Sequence, residues 1–381
     1  MRALAVALLV AVAAAAASPD PRKAGMDPDR LARIPVRMRA FVDRDLVSGV
    51  VTLAARHGVL AEFDAVGWQD IEAARPMRTD TIFQIMSMTK VVTAVGVVML
   101  AEEGKLALTD PVEKYLPEFR GRPSRPITLR DLLTHTSGMP EDPPAALRPV
   151  FANFRLPLAE AVSIYSQLPL RFEPGTRFGY SNTGMATLGR IIEVLSGLPY
   201  EKFADERIFQ PLGMADTFYF PPENKLPRIA MVYKPPDGGK LERAFPPEPG
   251  GAPAEFRKGA RYACPEGGLY STASDLAAFY QMLLNGGTWN GKRLLSRASV
   301  ELMTKPQTGT HGLALALMND ARDTLNYESL GSYGHGGAYG TFGWVDPKQD
   351  TVLILLIQRS VWGNFDERNA FWALAASAII D

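Results

Sequence analysis

Ser87-Met88-Thr89-Lys90 opens a predicted helix that runs over residues 89–103. Residues three apart on a helix share one face, so we expect the serine hydroxyl and the lysine amine side by side at its N-terminus. A serine is a weak nucleophile that needs a base, and a lysine serves when burial disfavours its charged form. A capping serine beside a solvated lysine is the ordinary alternative. It fits poorly, because residues 86–100 hold no other charged residue.

Two later motifs carry residues suited to the same chemistry. Tyr180-Ser181-Asn182 is the only Tyr-x-Asn in the chain; its tyrosine could relay a proton, and Asn182 could orient the substrate or Lys90. Taken alone, a turn with a packed tyrosine explains that motif better. His335-Gly336-Gly337-Ala338 precedes a predicted strand at 341, where a free backbone N–H could help form an oxyanion hole. A flexible glycine turn with a surface histidine is the alternative there.

The order of these three motifs resembles that of the serine β-lactamase and penicillin-binding-protein superfamily. The similarity is greatest to class C β-lactamases and to the family VIII carboxylesterases, and it covers nearly the whole chain after the apolar N-terminal stretch that ends at Ala17. Four further stretches carry it: Thr128-Leu129-Arg130-Asp131-Leu132-Leu133-Thr134-His135-Thr136-Ser137-Gly138, Phe172-Glu173-Pro174-Gly175, Pro211-Leu212-Gly213-Met214 and Gly267-Gly268-Leu269-Tyr270-Ser271-Thr272.

The resemblance implies a role for each site residue. Ser87 would be the acylated nucleophile, and Lys90 and Tyr180 the paired general bases. Asn182 would contact the substrate. Ala338, which follows Gly336 and Gly337, would donate its backbone N–H to the oxyanion together with Ser87.

The chain pattern predicts an α+β fold of the β-lactamase/transpeptidase type. Strands are expected at 49–55 and 59–66, joined as a hairpin, and at 341–345 and 351–357; helices are expected from 27, after Thr272 or Ser274, and at 366–380. The expected result is an antiparallel sheet flanked by helices, built from both chain ends (about 26–105 and 261–381). A mostly helical part, about 106–260, is inserted between them. Loops 141–156 and 221–260 are expected to wall the substrate pocket.

The N-terminus has the pattern of a signal peptide. Met1-Arg2 is followed by an apolar run of small residues to Ala17, about 15 residues and too short to span a bilayer comfortably. Cleavage after Ala17 would leave a single catalytic domain, 18–381, secreted or periplasmic and without a stable membrane span. A retained anchor is the alternative.

Composition excludes several other classes of function. Basic and acidic residues are balanced at 41 each, without a basic cluster, so no nucleic-acid partner is expected. The histidines 57, 135, 311 and 335 have no metal-ligand spacing, and we expect neither a metal nor a cofactor. No Gly-x-Ser-x-Gly occurs, which argues against a Ser-His-Asp esterase.

The third motif separates the candidate substrates. Members of this superfamily that act on β-lactams normally carry Lys-Thr-Gly where this chain has His335-Gly336-Gly337. Losing a charge-assisted hydrogen bond to a carboxylate costs about 1.5–3 kcal/mol, or one to two decades in rate. The sequence therefore favours an esterase for neutral small-molecule esters. A β-lactamase or D-amino-acid peptidase is the alternative, and a non-catalytic binding protein a further one. Oligomeric state is not predicted.

Overall fold

The computed structural model describes residues 18–121, 125–151, 154–234, 240–244, 259–320, 327–360 and 365–380. The predicted signal peptide, 1–17, and much of the predicted loop 221–260 lie outside the described residues. Among those described, no helix is long and apolar enough to cross a membrane.

The strands form one large antiparallel sheet and three small ladders. The strands are β1 Gly49–Arg56, β2 Val59–Asp70, β3 Arg75–Pro76, β4 Phe83–Gln84, β5 Tyr233–Lys234, β6 Glu242–Arg243, β7 Tyr270–Ser271, β8 Thr288–Trp289, β9 Lys292–Arg293, β10 Ala316–Leu317, β11 Tyr333–Gly337, β12 Thr341–Asp346 and β13 Thr351–Leu356. The large sheet has the order β10-β11-β12-β13-β1-β2-β3.

Helices cover both faces of the sheet and fill the middle of the chain. They are α1 Pro28–Leu31, α2 Arg33–Val42, α3 Thr89–Glu102, α4 Leu129–Leu133, α5 Arg148–Phe151, α6 Leu158–Tyr165, α7 Asn182–Ser196, α8 Tyr200–Ala204, α9 Gln210–Leu212, α10 Ala273–Leu284, α11 Arg297–Thr304 and α12 Asp366–Ser377. Single helical turns of the 3-10 type include Met86–Met88, directly before α3.

The two chain ends meet at the centre of the sheet. β1 pairs with β13 antiparallel, with Leu53 opposite Ile354, and β1 also pairs with β2 across a tight turn at His57-Gly58. Gly58 has φ +68, a conformation that glycine adopts without strain. The predicted hairpin, and an antiparallel sheet drawn from both chain ends, are confirmed.

The core lies mainly between the sheet and the helical middle part. Residues 89–100 of α3 are all buried, as an all-round apolar helix predicts, and one cluster joins them to β1, α7 and α10. A smaller cluster packs α2 and α12 against the opposite face of the sheet. The site described below lies at the N-terminus of α3.

Two details of the fold differ from the sequence prediction. The third motif does not merely precede the predicted strand at 341–345, and it is not the alternative flexible turn, because residues 335–337 lie within a strand of their own, β11, paired with β12. A Cβ on Gly334 would stand 2.1 Å from the carbonyl oxygen of Gly343, so glycine permits this close pairing. The middle part also contains the short ladder of β5 and β6, where little strand was expected.

Candidate active site

Ser87 and Lys90 lie side by side at the start of α3. The Nζ of Lys90 donates a hydrogen bond to Ser87 Oγ at 3.0 Å and a second to the backbone carbonyl of Glu266 at 2.5 Å. Lys90 is fully buried, whereas Ser87 is partly exposed. The alternative of a solvated lysine is therefore wrong. The pair places a nucleophile that solvent can reach beside a nitrogen withdrawn from solvent.

The backbone before Ser87 is held in an unusual conformation. Met86 has φ +50, in the left-handed region that non-glycine residues rarely adopt. Its carbonyl accepts a hydrogen bond from Thr89 Oγ1 at 2.6 Å, and that hydroxyl accepts one from the N–H of Leu269 at 3.2 Å. Such strain persists only where the surroundings fix it, and it clusters at functional sites. Here it directs the chain into the single turn that carries Ser87.

Tyr180 covers Lys90. The Nζ of Lys90 lies 4.8 Å from the centroid of the Tyr180 ring. Tyr180 comes directly before α7, where Ser181 is the N-cap and its Oγ accepts the N–H of Gly184 at 2.9 Å. The predicted motif thus combines two functions. Ser181 begins the helix, and the cap orients the preceding tyrosine toward the lysine.

The stretch around Gly138 supports Tyr180. Backbone hydrogen bonds join Arg171 N–H to Gly138 O and Gly179 N–H to His135 O, at 2.7 and 2.8 Å. Gly138 has φ +75, and a Cβ there would lie 2.0 Å from the carbonyl oxygen of Phe172. The two stretches quoted for the family resemblance therefore pack together as one scaffold behind Tyr180.

His135, to which no sequence motif assigns a role, is a buried neighbour of Tyr180. Its ring centroid lies 4.5 Å from that of Tyr180, and its Nδ1 accepts the N–H of Ser181 at 3.2 Å. Burial, with the charge of Lys90 as a smaller cause, holds the pKa of His135 well below its usual range. It is consequently a neutral wall of the site. Its place within the stretch 128–138, which carries the family resemblance, was the only signal in the sequence.

His335 faces Tyr180 from β11. The two ring centroids are 6.3 Å apart, and His335 is 8% exposed, so the alternative of a surface histidine is wrong. Its Nδ1 lies 2.6 Å from the carbonyl oxygen of Gly336. Because a carbonyl only accepts, Nδ1 carries the hydrogen and Nε2 keeps its lone pair. Burial, then the charge of Lys90, lowers the pKa of His335 to about 3.

The end of β11 lies against the backbone that leads to Ser87. A Cβ on Gly337 would be 2.2 Å from both the carbonyl oxygen of Ile85 and Thr341 Oγ1. That hydroxyl donates to the same carbonyl at 3.0 Å. Gly337 thus brings Ala338, the next residue, close to the turn that carries Ser87. This proximity is what two oxyanion donors on separate segments require.

Asn182 points toward a loop. Its Nδ2 donates to Asp142 Oδ1 at 2.8 Å, and its N–H to the carbonyl of Glu141 at 2.9 Å. The structure therefore connects Asn182 to 141–156, one of the predicted pocket walls. Its contact with substrate stays a prediction.

Near the site, an open cleft of about 390 Å³ lies between residues 175–178 and 308–311. Phe178 on one wall and His311 on the other are in ring contact, with centroids 4.5 Å apart. Within the described ranges, no three His, Cys, Asp or Glu side chains are close enough together to hold a metal ion.

Comparisons with known proteins place the chain in a family. The family described as beta-lactamase matches residues 37–377. The chain belongs to the beta-lactamase family. It is 33% identical over 360 residues to protein Rv1367c of Mycobacterium tuberculosis, covering 84% of this chain and 88% of that protein. It is 31% identical over 381 residues to esterase EstB of Burkholderia gladioli, covering 91% of this chain and 95% of that protein.

Two solved structures have the same fold as this chain. EstCE1, described as a hydrolase with promiscuous acyltransferase activity, superposes with a TM-score of 0.80 at 23% identity, covering 93% of this chain and 99% of that one. A penicillin-binding protein homologue from Pyrococcus abyssi superposes with a TM-score of 0.72 at 26% identity, covering 92% of this chain and 77% of that one. The predicted family and the α+β fold are confirmed.

Proposed function

We propose that this member of the beta-lactamase family is a serine esterase that works through an acyl-Ser87 intermediate. The hydrogen bond between the buried Lys90 amine and Ser87 Oγ is the observation that carries the proposal. A serine nucleophile needs a base, and this contact puts the Lys90 amine within reach of the hydroxyl proton. Because Lys90 is buried, water is kept away from that base. The similarity to EstB, which is described as an esterase, supports the same reaction class.

The reaction has two halves. Ser87 Oγ attacks the ester carbonyl carbon while its proton passes to Lys90 in the amine form, or to Tyr180 as the paired base. The tetrahedral intermediate collapses, the C–O bond to the alcohol breaks, and the alcohol leaves with that proton. Water then attacks the acyl-serine and gives up a proton to the same bases, and the acid leaves as Ser87 regains its hydrogen.

Two backbone N–H groups would stabilise the oxyanion. Those of Ser87 and Ala338 are the candidates, because Gly337 brings the end of β11 against the backbone before Ser87. Donors fixed by the fold in this way act without reorganising, and removal of one typically costs about 10²–10³ in rate.

The third motif favours neutral esters over β-lactams. His335 has a pKa of about 3, because it is buried, so it brings no positive charge to the site at neutral pH. A substrate carboxylate would face the lone pair of Nε2, which is a hydrogen-bond acceptor. We therefore propose substrates without a carboxylate beside the scissile carbonyl.

A substrate panel on one preparation tests the proposal. We expect turnover of p-nitrophenyl acetate and butyrate, much weaker hydrolysis of nitrocefin and D-alanyl-D-alanine peptides, and loss of all activity in Ser87→Ala. Efficient nitrocefin or peptide hydrolysis with inert esters would favour the β-lactamase or peptidase alternative. No activity and no labelling of Ser87 by a fluorophosphonate would favour the binding-protein alternative.

We further propose that residues 1–17 direct export. The short positive start, the apolar run and the small residues before Ser18 support this. Expression in a bacterial host followed by N-terminal sequencing of the periplasmic fraction tests it. A mature chain starting at Ser18 is expected, and an intact Met1 on cytoplasmic protein would contradict it.

A further inference from the structure

The cleft beside the site is lined by groups that the proposed reaction does not use. Its volume is about 390 Å³, and it lies between residues 175–178, which lead to Tyr180, and residues 308–311, which lead to β10. A space of this size can enclose a small-molecule group. We therefore ask what the cleft walls share with the active site and which chemistry they offer.

One wall of the cleft continues from the active site along the loop before α7. Phe178 lines the cleft and comes two residues before Tyr180. The ring of His135 contacts both side chains, with centroid distances of 5.8 Å to Phe178 and 4.5 Å to Tyr180. The same short loop thus carries one ring into the active site and another into the cleft.

The opposite wall belongs to the edge of the large sheet. His311 forms a bridge with Ala316 of β10, and β10 pairs with β11, the strand that carries His335. Tyr180 faces His335 with ring centroids 6.3 Å apart, and the next pair outward, Phe178 and His311, is 4.5 Å apart. The cleft therefore continues the active site between the same two segments.

Arg177 gives the cleft its charge. Among the described residues that line the cleft, it alone is charged at neutral pH, because burial lowers the pKa of His311. The guanidinium lies 4.7 Å from the centroid of the Phe172 ring, and its Nη2 donates one long hydrogen bond, 3.4 Å, to the carbonyl of Arg171. No carboxylate of the described chain pairs with it, so most of its five N–H donors are available to a ligand.

The acid behind the cleft wall does not cancel this charge. Thr136 lines the cleft, and its hydroxyl donates to Asp131 Oδ1 at 3.2 Å. Arg125 pairs with the same carboxylate at 3.0 Å, so Asp131 already has its counter-charge. The cleft consequently presents an uncompensated positive group.

Thr308 adds a second hydrogen-bonding group without a partner. Its backbone N–H donates to the carbonyl of His311 at 3.1 Å, and its carbonyl accepts the N–H of His311 at 2.7 Å, which fixes this turn. The side-chain hydroxyl is buried and has no hydrogen-bond partner among the described residues. Buried polar groups are normally hydrogen-bonded, so this hydroxyl favours a polar occupant of the cleft.

We propose that the cleft is a subsite for the end of the ester substrate remote from the scissile bond, and that this end carries a carboxylate held by Arg177. The inference rests on the proposed function and names its class of substrate. A guanidinium matches a carboxylate in shape as well as in charge. His335 brings no charge to the scissile carbonyl, so the site favours a neutral ester bond within an anionic molecule.

Matched esters that differ only in the remote charge test the inference. One series is the 4-nitrophenyl half-esters of adipate, suberate and sebacate, with the carboxylate in the acyl part. A second series is the acetyl esters of hydroxy acids of matching lengths, with the carboxylate in the alcohol part, followed by acetate release. Each ester is compared with its carboxamide, which has the same shape without the charge. Comparing the two series shows which part of the substrate enters the cleft.

The readout is the ratio of kcat/KM for the carboxylate to kcat/KM for the carboxamide. In wild type we expect a ratio of about three to ten at the best chain length of one series, because Arg177 is exposed and its ion pair is partly screened. The difference should lie in KM, since the charge is remote from the reacting atoms. Arg177→Gln should bring the ratio close to one, and Arg177→Lys should restore most of it.

Two further variants complete the test. Arg171→Gln removes a neighbouring exposed arginine that does not line the cleft, and it should keep the wild-type ratio. Thr308→Val keeps the shape and removes the unpartnered hydroxyl, so it should lower the ratio by a smaller factor, and it replaces Arg177→Gln if that variant does not fold. A wild-type ratio near one at every length, or an equal ratio in wild type and the variant used, overturns the inference alone. Failure to hydrolyse any of these esters or p-nitrophenyl acetate overturns the proposed function as well.

Discussion

The amine of Lys90 lies 3.0 Å from the hydroxyl of Ser87, and the lysine side chain is fully buried. The hydrogen bond joins the first and last residues of a four-residue motif across one helical turn. Burial of residues 89–100 of α3 removes Lys90 from solvent, while the single turn at Met86–Met88 leaves Ser87 partly exposed. A base shielded from water beside an accessible nucleophile is the relationship on which the proposed chemistry depends.

Lys90→Met tests whether that amine is the base. Methionine has similar length and no ionisable group, so we expect ester hydrolysis to fall about 10²–10⁴-fold. Methionine fills a similar volume with apolar atoms, so we expect the melting temperature to stay close to that of wild type. Kinetics with p-nitrophenyl butyrate and a thermal melt provide both values. Activity within tenfold of wild type in a folded variant would rule out Lys90 as the base.

His335→Lys tests why the site should disfavour β-lactams. A lysine on β11 would supply the positive charge that the neutral His335 lacks, so nitrocefin hydrolysis should rise about ten- to hundredfold. His335→Gln changes the side chain without adding charge and is the matched control, which should show no gain. Equal nitrocefin rates in His335→Lys and His335→Gln would refute the charge argument.

Gly337→Ala tests the close approach between β11 and the backbone before Ser87. The added Cβ would lie 2.2 Å from the Ile85 carbonyl oxygen, so the two segments must separate. We expect a lower melting temperature and at least a tenfold loss of ester hydrolysis, because the Ala338 N–H moves with the strand. Gly267→Ala is the control, because the nearest atom to its added Cβ would be the backbone carbonyl carbon of Met86, at an ordinary contact distance of 3.8 Å. Similar losses in both variants would contradict the argument.

Glu62 predicts a pH dependence of stability that is independent of the site. Burial raises its pKa from 4.5 to about 8. Thr52 Oγ1 donates to Glu62 Oε1 at 2.6 Å, but Oε2 is buried without a partner in the described structure. Between pH 4.5 and 8 the unfolded chain releases a proton that the folded chain keeps, so folding stability falls as pH rises through this window.

Glu62→Gln should remove that loss. At pH 5 the variant and wild type should unfold at similar denaturant concentrations, and by pH 7 the variant should be more stable by up to about 3 kcal/mol. Glu206→Gln, at an exposed position, is the control and should show no such trend. A constant difference between variant and wild type from pH 5 to 8 would contradict an uncharged, buried Glu62.

The elements predicted best are those whose own residue pattern determines whether they are buried and where they begin. α3 was expected at 89–103 and spans Thr89–Glu102, because a helix that is apolar all round has to be buried. Thr272, one of the two residues proposed as a cap, caps α10. The sequence also named the residues that meet at the site, since Ser87, Lys90, Tyr180 and His335 come together there.

The features missed depend on contacts between distant segments. The third motif was expected just before a strand at 341, whereas residues 335–337 lie in a strand of their own, β11, whose close packing on β12 leaves no room for a Cβ on Gly334. Glu266 follows Cys-Pro in a loop, and nothing local indicates that its carboxyl is buried. The export signal, the roles of the site residues and the division of the chain near 106 and 260 stay predictions.

The most direct test of acyl-serine chemistry is to map the residue modified by a fluorophosphonate probe. We predict one phosphonate per chain, on the peptide that contains Ser87, with ester hydrolysis lost in proportion to labelling and no label in Ser87→Ala. A chain that hydrolyses esters while Ser87 stays unmodified, or that keeps its activity as Ser87→Ala, would contradict the account.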